Sequence, residues 1–354
     1  MSSSRVIGLD LGSSSIKAAQ VLRDSDGTYV VEHQAARQLP KGVIYDGHID
    51  PARRGRVSSI IAEMFETEKG FTTKDVIFGL NSSASTFMDE VTVPLMKVED
   101  LPVALPVVLA SINPSFDPKD NEISFSVVGV VEGERGRQIK VIVFRALATY
   151  VKEIAEVVEA AGLNVVGADF NSLAALRAIE TLPRPNRQAD AVIDIGANVT
   201  TLMLHHNGVP KYLSLDPDSA GSVATAKVAE ALGLDDDDDQ AEFEKINNDE
   251  QFGLVSQARN EYSKNLAERV ARSLSNAIER SDEIDSLASV ILVGGGALLA
   301  GGSYFLKEEF GSVPLSYAKI DPSITGKDGA IRRQEPGSGG DYLVAVGLGT
   351  GATL

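Results

Sequence analysis

The sequence predicts an α/β fold built by internal duplication, with a small α+β segment inserted in its first half. Three observations predict it. Residues 8–17, GLDLGSSSIK, put Asp10 at the end of an alternating strand, then a glycine and three serines before a second strand. Residues 194–203, DIGANVTTLM, repeat that arrangement about half a chain later, as a duplicated unit does. Residues 86–165 follow a different order of strands and helices.

The elements follow from pattern and punctuation. RVIGLDL alternates as a strand, SIKAAQVLR continues as a second and TYVVEHQAAR as a third, a meander. DPARRGRVSSIIAEMFETEKG has helical spacing and stops at Gly70, after which DVIFGLN returns to strand. Within the insert, STFMDEVTVP reads as a strand and VEDLPVALPVVLASIN as a helix that Pro106 should kink or shorten. ISFSVVGVVE and QIKVIVFRAL form a hairpin, and TYVKEIAEVVEAAG is an amphipathic helix whose apolar stripe should pack on the insert's own sheet. From residue 190, DAVIDIGANVTTLMLHHNGVPKYLSL repeats strand, turn and strand. A helix in AGSVATAKVAEALG follows, then a long polar helix from about Asp249 to Arg280. The strand, glycine turn and helix of ASVILVGGGALLAGGSYFLKEEFG and a small-residue helix in GDYLVAVGLGTGA complete the chain. The predicted first domain comprises residues 1–85, 166–187 and about 335–354; the insert spans 86–165; the second domain spans 188–334, with a helical subdomain at about 221–285.

Composition narrows the function. A chain of 354 residues can bury two or three domain cores, and its charged and hydrophobic fractions, 23% and 43%, are those of a globular protein. The absence of cysteine excludes disulfides, thiolate metal sites and a cysteine nucleophile. A net charge of −17 argues against nucleic acid and against anionic lipid, both of which need a basic footprint. MSSSRVIGLDLG lacks the apolar core and cleavage site of a secretory signal, so no export is expected. The apolar stretches are too short or too broken to cross a bilayer, so membrane association is expected only through a partner.

The two turns carry the chemistry. A tight turn between antiparallel strands, with glycine permitting close backbone approach, gathers N–H groups into an anion-binding nest. Gly12, Ser13, Ser14 and Ser15 supply such donors and hydroxyls, Asp10 can hold a hydrated Mg²⁺ bridging phosphate oxygens, and Lys17 adds positive charge. Asp194, Gly196, Ala197 and Asn198 form the second copy. A hydrogen bond to a charged acceptor contributes about 1.5–3 kcal/mol, and micromolar affinity needs about 8 kcal/mol, so four or five such bonds, about 6–12 kcal/mol before ordering costs, bring it within reach. Two halves clamping one polyphosphate explain the repetition. Gly294, Gly295 and Gly296, after a buried strand and before a helix, permit a third close approach.

The two phosphate turns in this order, the late Gly-Gly-Gly and the helical AEFEK at 241–245 resemble the actin-like ATPase superfamily over nearly the whole chain. The insert and the wording LPKGVIYDGHIDP, VTVPLMKVEDL and DYLVAVGLG are most similar to the PilM family of type IV pilus assembly; the division protein FtsA is the nearest relative in architecture. The resemblance implies the actin-like ATPase fold, with duplicated ribonuclease H-like domains and a small α+β inserted subdomain. It implies ATP and Mg²⁺ as cofactors, with Asp10 and Asp194 as the metal-orienting, catalytic acids, Glu242 facing the ribose hydroxyls and Lys245 the adenine side. Gly221 stands where relatives place a glycine pair beside the γ-phosphate, but here Ala220 precedes it, and LDPDS departs from the usual lead-in. Hydrolysis is therefore left open where binding is expected. Asp169 or Asn171 stands where the superfamily places its water-orienting residue; Asn171 also suits a helix N-cap and Asp169 a favourable charge at a helix start.

The implied partner is the cytoplasmic N-terminal tail of a PilN-like inner-membrane protein, held in a groove beside the insert, and the implied location is the cytoplasm. A pilus motor ATPase and further copies of the chain are additional partners within the same resemblance. The alternatives are an FtsA-like filament protein, whose basic amphipathic tail VAVGLGTGATL does not provide, and a small-molecule kinase, for which no sugar-kinase signature separates the turns. Asp235–Asp239 lacks the spacing of a calcium loop and reads as a solvated helix lead-in. His205 and His206 are adjacent on a strand, point to opposite faces and cannot share a metal.

Overall fold

A computed structural model describes residues 4–133, 136–234, 253–298, 302–326 and 342–351. The meander is β1 (Ser4–Leu11), β2 (Ser15–Arg23) and β3 (Tyr29–Gln38). A hairpin of β4 (Ile44–Tyr45) and β5 (His48–Ile49) then leads through α1 (Arg54–Thr67) to β6 (Asp75–Leu80). The insert contributes β7 (Thr86–Pro94), α2 (Leu101–Ile112), β8 (Asn121–Gly133) and β9 (Gly136–Leu147). The chain continues through α3 (Ala148–Ala160), β10 (Asn164–Phe170) and α4 (Asn171–Ala178). The second half is β11 (Gln188–Ile195), β12 (Thr200–His206), β13 (Val209–Asp216), α5 (Gly221–Leu232) and α6 (Gly253–Glu279). Then come β14 (Ser286–Val293), α7 (Gly302–Phe310), β15 (Leu315–Tyr317), β16 (Ile324–Gly326) and α8 (Leu343–Gly349).

Two sheets share one topology. The first runs β10-β6-β1-β2-β3-β16 and the second β13-β12-β11-β14-β15. In each, a short-turned antiparallel meander is followed by strands that return parallel to the first, and those parallel returns require crossovers, which helices supply. β1 and β11 are central strands, and Ile7, Leu9, Ala191 and Ile193 are fully buried in them. This duplicated architecture is the actin-like ATPase fold.

Small residues let the first half close tightly. α8 is buried along its whole length against β1, β2 and α4. A Cβ on Gly347 would stand 1.8 Å from Ala174 O, and one on Gly8 1.9 Å from Ala345 O, so three backbones touch where only glycine fits.

The insert's sheet, ordered β7-β9-β8, has two apolar faces. Successive side chains alternate across it, so Val141 and Val143 meet Leu101, Leu105 and Leu109 of α2, while Ile142, Phe144 and Ala146 enter the core of the first domain.

α2 spans Leu101–Ile112 with Pro106 inside it; the ring leaves only the carbonyl of the exposed Pro102 without its helical donor, and Leu101, Leu105 and Leu109 bury one stripe. Two expectations are corrected here. α3 packs chiefly on the first domain, its Tyr150, Ile154 and Val158 joining Ile61, Met64 and Phe78 in one core. Ile324–Gly326, assigned from sequence to the second half, returns to the first sheet as an edge strand parallel to β3.

Candidate functional site

The two turns are geometric twins. Asp10 is the penultimate residue of β1 and faces Lys17 across the strand pair; Asp194 is the penultimate residue of β11 and faces Thr201. After the first, Gly12 N–H donates to Ser15 O at 3.1 Å; after the second, Gly196 N–H donates to Val199 O at 3.0 Å. A Cβ would stand 3.0 Å from Ser15 O on Gly12 and 2.6 Å from Val199 O on Gly196, which accounts for glycine at both positions. Ser15 is buried and closes its turn through the carbonyl, so the tip that solvent reaches is Gly12–Ser14, matched by Gly196–Asn198.

The acids differ in their surroundings. Asp10 is buried, with Lys17 Nζ 3.9 Å from Oδ2 and Asn171 Nδ2 donating to Oδ1 at 3.2 Å. Asp194 is half-buried, and Gly294, at φ 82°, lies on it: a Cβ there would be 2.3 Å from Asp194 Oδ1. Gly296 is pressed against Ile195 in the same way, whereas Gly295 faces open space.

α5 abuts the second turn. Gly221 N–H donates to Gly196 O at 2.9 Å and Ser222 N–H to Ala197 O at 2.8 Å. The first donors of this helix therefore brace the turn's carbonyls. The loop before it is pinned by Arg269 of α6, whose Nη2 and Nε reach Asp216 at 2.8 and 3.0 Å, and this pairing holds the Asp216 carboxyl below its ordinary range against burial, which opposes it.

The halves meet at the turns. Asn198 Nδ2 donates to Ile44 O at 2.8 Å, and Thr201 Oγ1 donates to Asn81 Oδ1 at 3.2 Å. Asn81 follows β6, and its N–H donates to the hydroxyl of Tyr150, whose pKa burial pushes upward so that it stays neutral. The β4–β5 turn is anchored by the buried Asp46, which accepts from Ser83 N at 2.7 Å, Ser83 Oγ at 2.9 Å, Ser82 Oγ at 3.2 Å and Ala84 N at 3.2 Å.

Some candidates stand elsewhere than the sequence placed them. Asp169 accepts from Phe170 N at 2.8 Å and pairs with Arg177, so its carboxylate braces α4. Its neighbour Asn171 reaches Asp10, and the N-cap position belongs to Phe170. Glu242, Lys245 and Asp235–Asp239 lie outside the described residues. Sequence reasoning missed Asn81 and Asp46; the Asp-Gly pair in VIYDGH was the available signal for the second.

Tested against a polyphosphate and Mg²⁺, these residues fit. Glycine at both turns and at Gly294 lets the backbone pass closer than any Cβ would allow, and Asn171 Oδ1 is a buried acceptor without a hydrogen-bond partner beside Asp10. No group of three or more His, Cys, Asp or Glu that could hold a metal occurs among the described residues.

A concavity of about 490 Å³ lies between the insert, the first domain and the second sheet. Val127 of β8, Phe144 of β9, Leu176 and Arg177 of α4, Val209 of β13 and Asp321 line it.

The profile of the family described as "Type IV pilus assembly protein PilM" matches residues 8–350. The chain belongs to the PilM family. A solved structure called "PilM-PilN type IV pilus biogenesis complex" is similar to this PilM-family chain with a TM-score of 0.81 and 23% identity, over 97% of each chain. The ethanolamine utilization protein EutJ from Carboxydothermus hydrogenoformans is similar with a TM-score of 0.58 and 16% identity, over 98% of this chain and 89% of its own. A diol dehydratase-reactivating factor in nucleotide-free form follows at 0.53 and 10%, over 97% and 98%. At these identities the likeness shows the fold. No curated protein sequence matches the chain. No helix among the described residues is long and apolar enough to cross a membrane.

Proposed function

We propose that this PilM-family chain is a cytoplasmic, nucleotide-binding adaptor of type IV pilus assembly. It holds Mg·ATP between its twin turns and docks the cytoplasmic N-terminal tail of a PilN-like inner-membrane protein in the groove beside the insert. The observation that carries this reading is the family match over residues 8–350. The 490 Å³ groove at the insert supports it, since an extended tail needs a concave, largely apolar track with a few polar positions. The likeness to a PilM–PilN complex supports the choice of partner.

Within this reading the N–H groups at the tips of the two turns bind the phosphates, and Asp10 and Asp194 orient the cation. Asn171 and Lys17 hold Asp10, while Gly294 keeps the approach to Asp194 open. Mg·ATP, when bound, would supply concentrated negative charge for the N–H groups of both turns. The bridges from Asn198 to Ile44 and from Thr201 to Asn81 keep those halves in register. Glu242 and Lys245 would hold the nucleoside. Membrane association comes through the partner alone; the motor ATPase and self-association belong to the same reading.

The test is a calorimetric titration of the protein with a synthetic peptide of the PilN-like tail, with and without Mg·ATP. Saturable binding is expected, and Val127→Glu, an exposed change on β8, should abolish it without lowering the melting temperature. Absence of binding in both nucleotide conditions overturns the docking reading. Absence of Mg·ATP binding overturns the nucleotide reading independently.

A further inference from the structure

The nucleotide cleft and the groove share one element. α4 is eight residues long; its first residue, Asn171, bonds Asp10, and Leu173, Leu176 and Arg177 from the rest of the same helix line the groove. At its middle, Ala174 touches α8 backbone to backbone, where Gly347 leaves no room for even a methyl group. At its far end, Arg177 pairs with Asp169 on β10 and donates to Gly347 O at 3.1 Å. Packing of this density transmits displacement instead of absorbing it.

The Asp10 end can change state. The Asn171 amide donates to Asp10, but its own Oδ1 is buried without a hydrogen-bond partner and rests over Gly79. An unsatisfied buried acceptor carries a cost that a donor arriving nearby would relieve, which favours a shift of the amide when the site is occupied. Positive charge arriving at Asp10 would also compete with the amide for the same carboxylate.

We propose that α4 is a lever, pivoting on Gly347, that couples occupancy at Asp10 to the shape of the peptide groove. This rests on the functional reading above and adds its regulation. Since the pivot lies between the two ends, a shift at Asn171 moves Leu176 and Arg177 in the opposite sense. By linkage, the factor by which Mg·ATP changes peptide affinity equals the factor by which peptide changes Mg·ATP affinity.

The experiment measures the dissociation constant of the PilN-like tail peptide for the full chain with and without saturating Mg·ATP. It is repeated for Asn171→Ala, which cuts the lever from Asp10, and for Arg177→Met, which frees its far end. A ratio of about fivefold or more is expected in the unaltered protein, falling to within about twofold of unity in both variants that retain the native melting transition. An unaltered-protein ratio below fivefold, or a larger ratio surviving in either folded variant, overturns the lever while leaving the docking and nucleotide readings intact. Failure of the unaltered protein to bind peptide in both conditions strikes the docking reading itself, and the lever with it.

Discussion

Gly79 lies so close to Asn171 that a Cβ built on the glycine would stand 1.9 Å from Asn171 Oδ1. Gly79 is on β6, in register with Asp169 of β10, and the missing side chain is the space that lets Asn171 reach Asp10. Gly79→Ala should therefore act on the cleft. The atom it meets is the end of a side chain, so Asn171 yields and its bond to the buried Asp10 is lost. Overpacking of this kind costs about 1–3 kcal/mol. In urea the midpoint should fall at constant slope, and Mg·ATP affinity should change with it. A variant with unaltered midpoint and unaltered affinity would show that Asn171 does not depend on this gap.

Gly347→Ala should be more severe. Its Cβ would meet the carbonyl oxygen and carbon of Ala174 at 1.8 and 2.4 Å, and no side chain can yield there. A loss at or above the upper end of the same range, about 3 kcal/mol, is expected. Gly55→Ala supplies the contrast: it lies in α1 with nothing within 4 Å, and alanine should stabilise the helix by about 0.5–1 kcal/mol. Parallel thermal melts decide both, and equal effects at the two positions would refute the backbone-contact argument.

The duplication was legible because each half writes its turn locally: Asp, one apolar residue and Gly, between alternating strands, determine both hairpins and their registers. What was not legible is long-range. The stripe of α3 shows that one face is buried and cannot say against what, so Tyr150 was assigned to the insert and lies instead in the first domain's core. Asn171 suits an N-cap by composition, yet its amide reaches Asp10, 161 residues away, which no local pattern encodes. Pro106 disfavours a helix locally, and the leucine stripe that favours one packs only once the insert's sheet is folded. The groove is assembled from five separated segments, so none of its lining residues forms a motif.

His205 gives the fold a pH dependence. It is fully buried on β12 opposite Asp190, accepts from Gly208 N at 3.3 Å through Nδ1, and leaves Nε2 without a partner. Burial holds its pKa below the ordinary 6.5, outweighing Asp190, which raises it; Arg184 and His206 push in the same direction as burial. The folded state thus keeps the ring neutral where the unfolded chain takes up a proton. Stability should fall as pH drops below about 6.5, with a limiting slope of about 1.4 kcal/mol per pH unit. The stability difference between the unaltered protein and His205→Leu, from denaturant melts between pH 8 and 5, should shrink toward acid. A difference that stays constant over that range would mean His205 titrates alike in both states.

Glu283 joins the insert to the second half. Its carboxylate accepts from Lys140 of β9 and from Lys211 of β13, and Lys140 also pairs with Glu90 of β7 at 2.8 Å. The hydrogen bond from Lys140, then that from Lys211, holds the Glu283 pKa down from 4.5 to about 2, against burial. For an acid with a depressed pKa, the stabilisation is complete above 4.5 and is lost as pH falls toward 2. The Glu283 side chain is 40% exposed, so solvent screens the cluster and Glu283→Gln should cost only about 0.5–1 kcal/mol at pH 7. That gap should close between pH 4.5 and 2 and should narrow in 1 M salt, where the screening length is about 3 Å. A gap insensitive to both acid and salt would show that the position acts through packing and not through charge. Because the Lys140 bond to Glu283 remains when Lys211 is removed, the ionic account also requires Lys211→Met to cost less than Glu283→Gln, and the double variant to lose little more than Glu283→Gln alone.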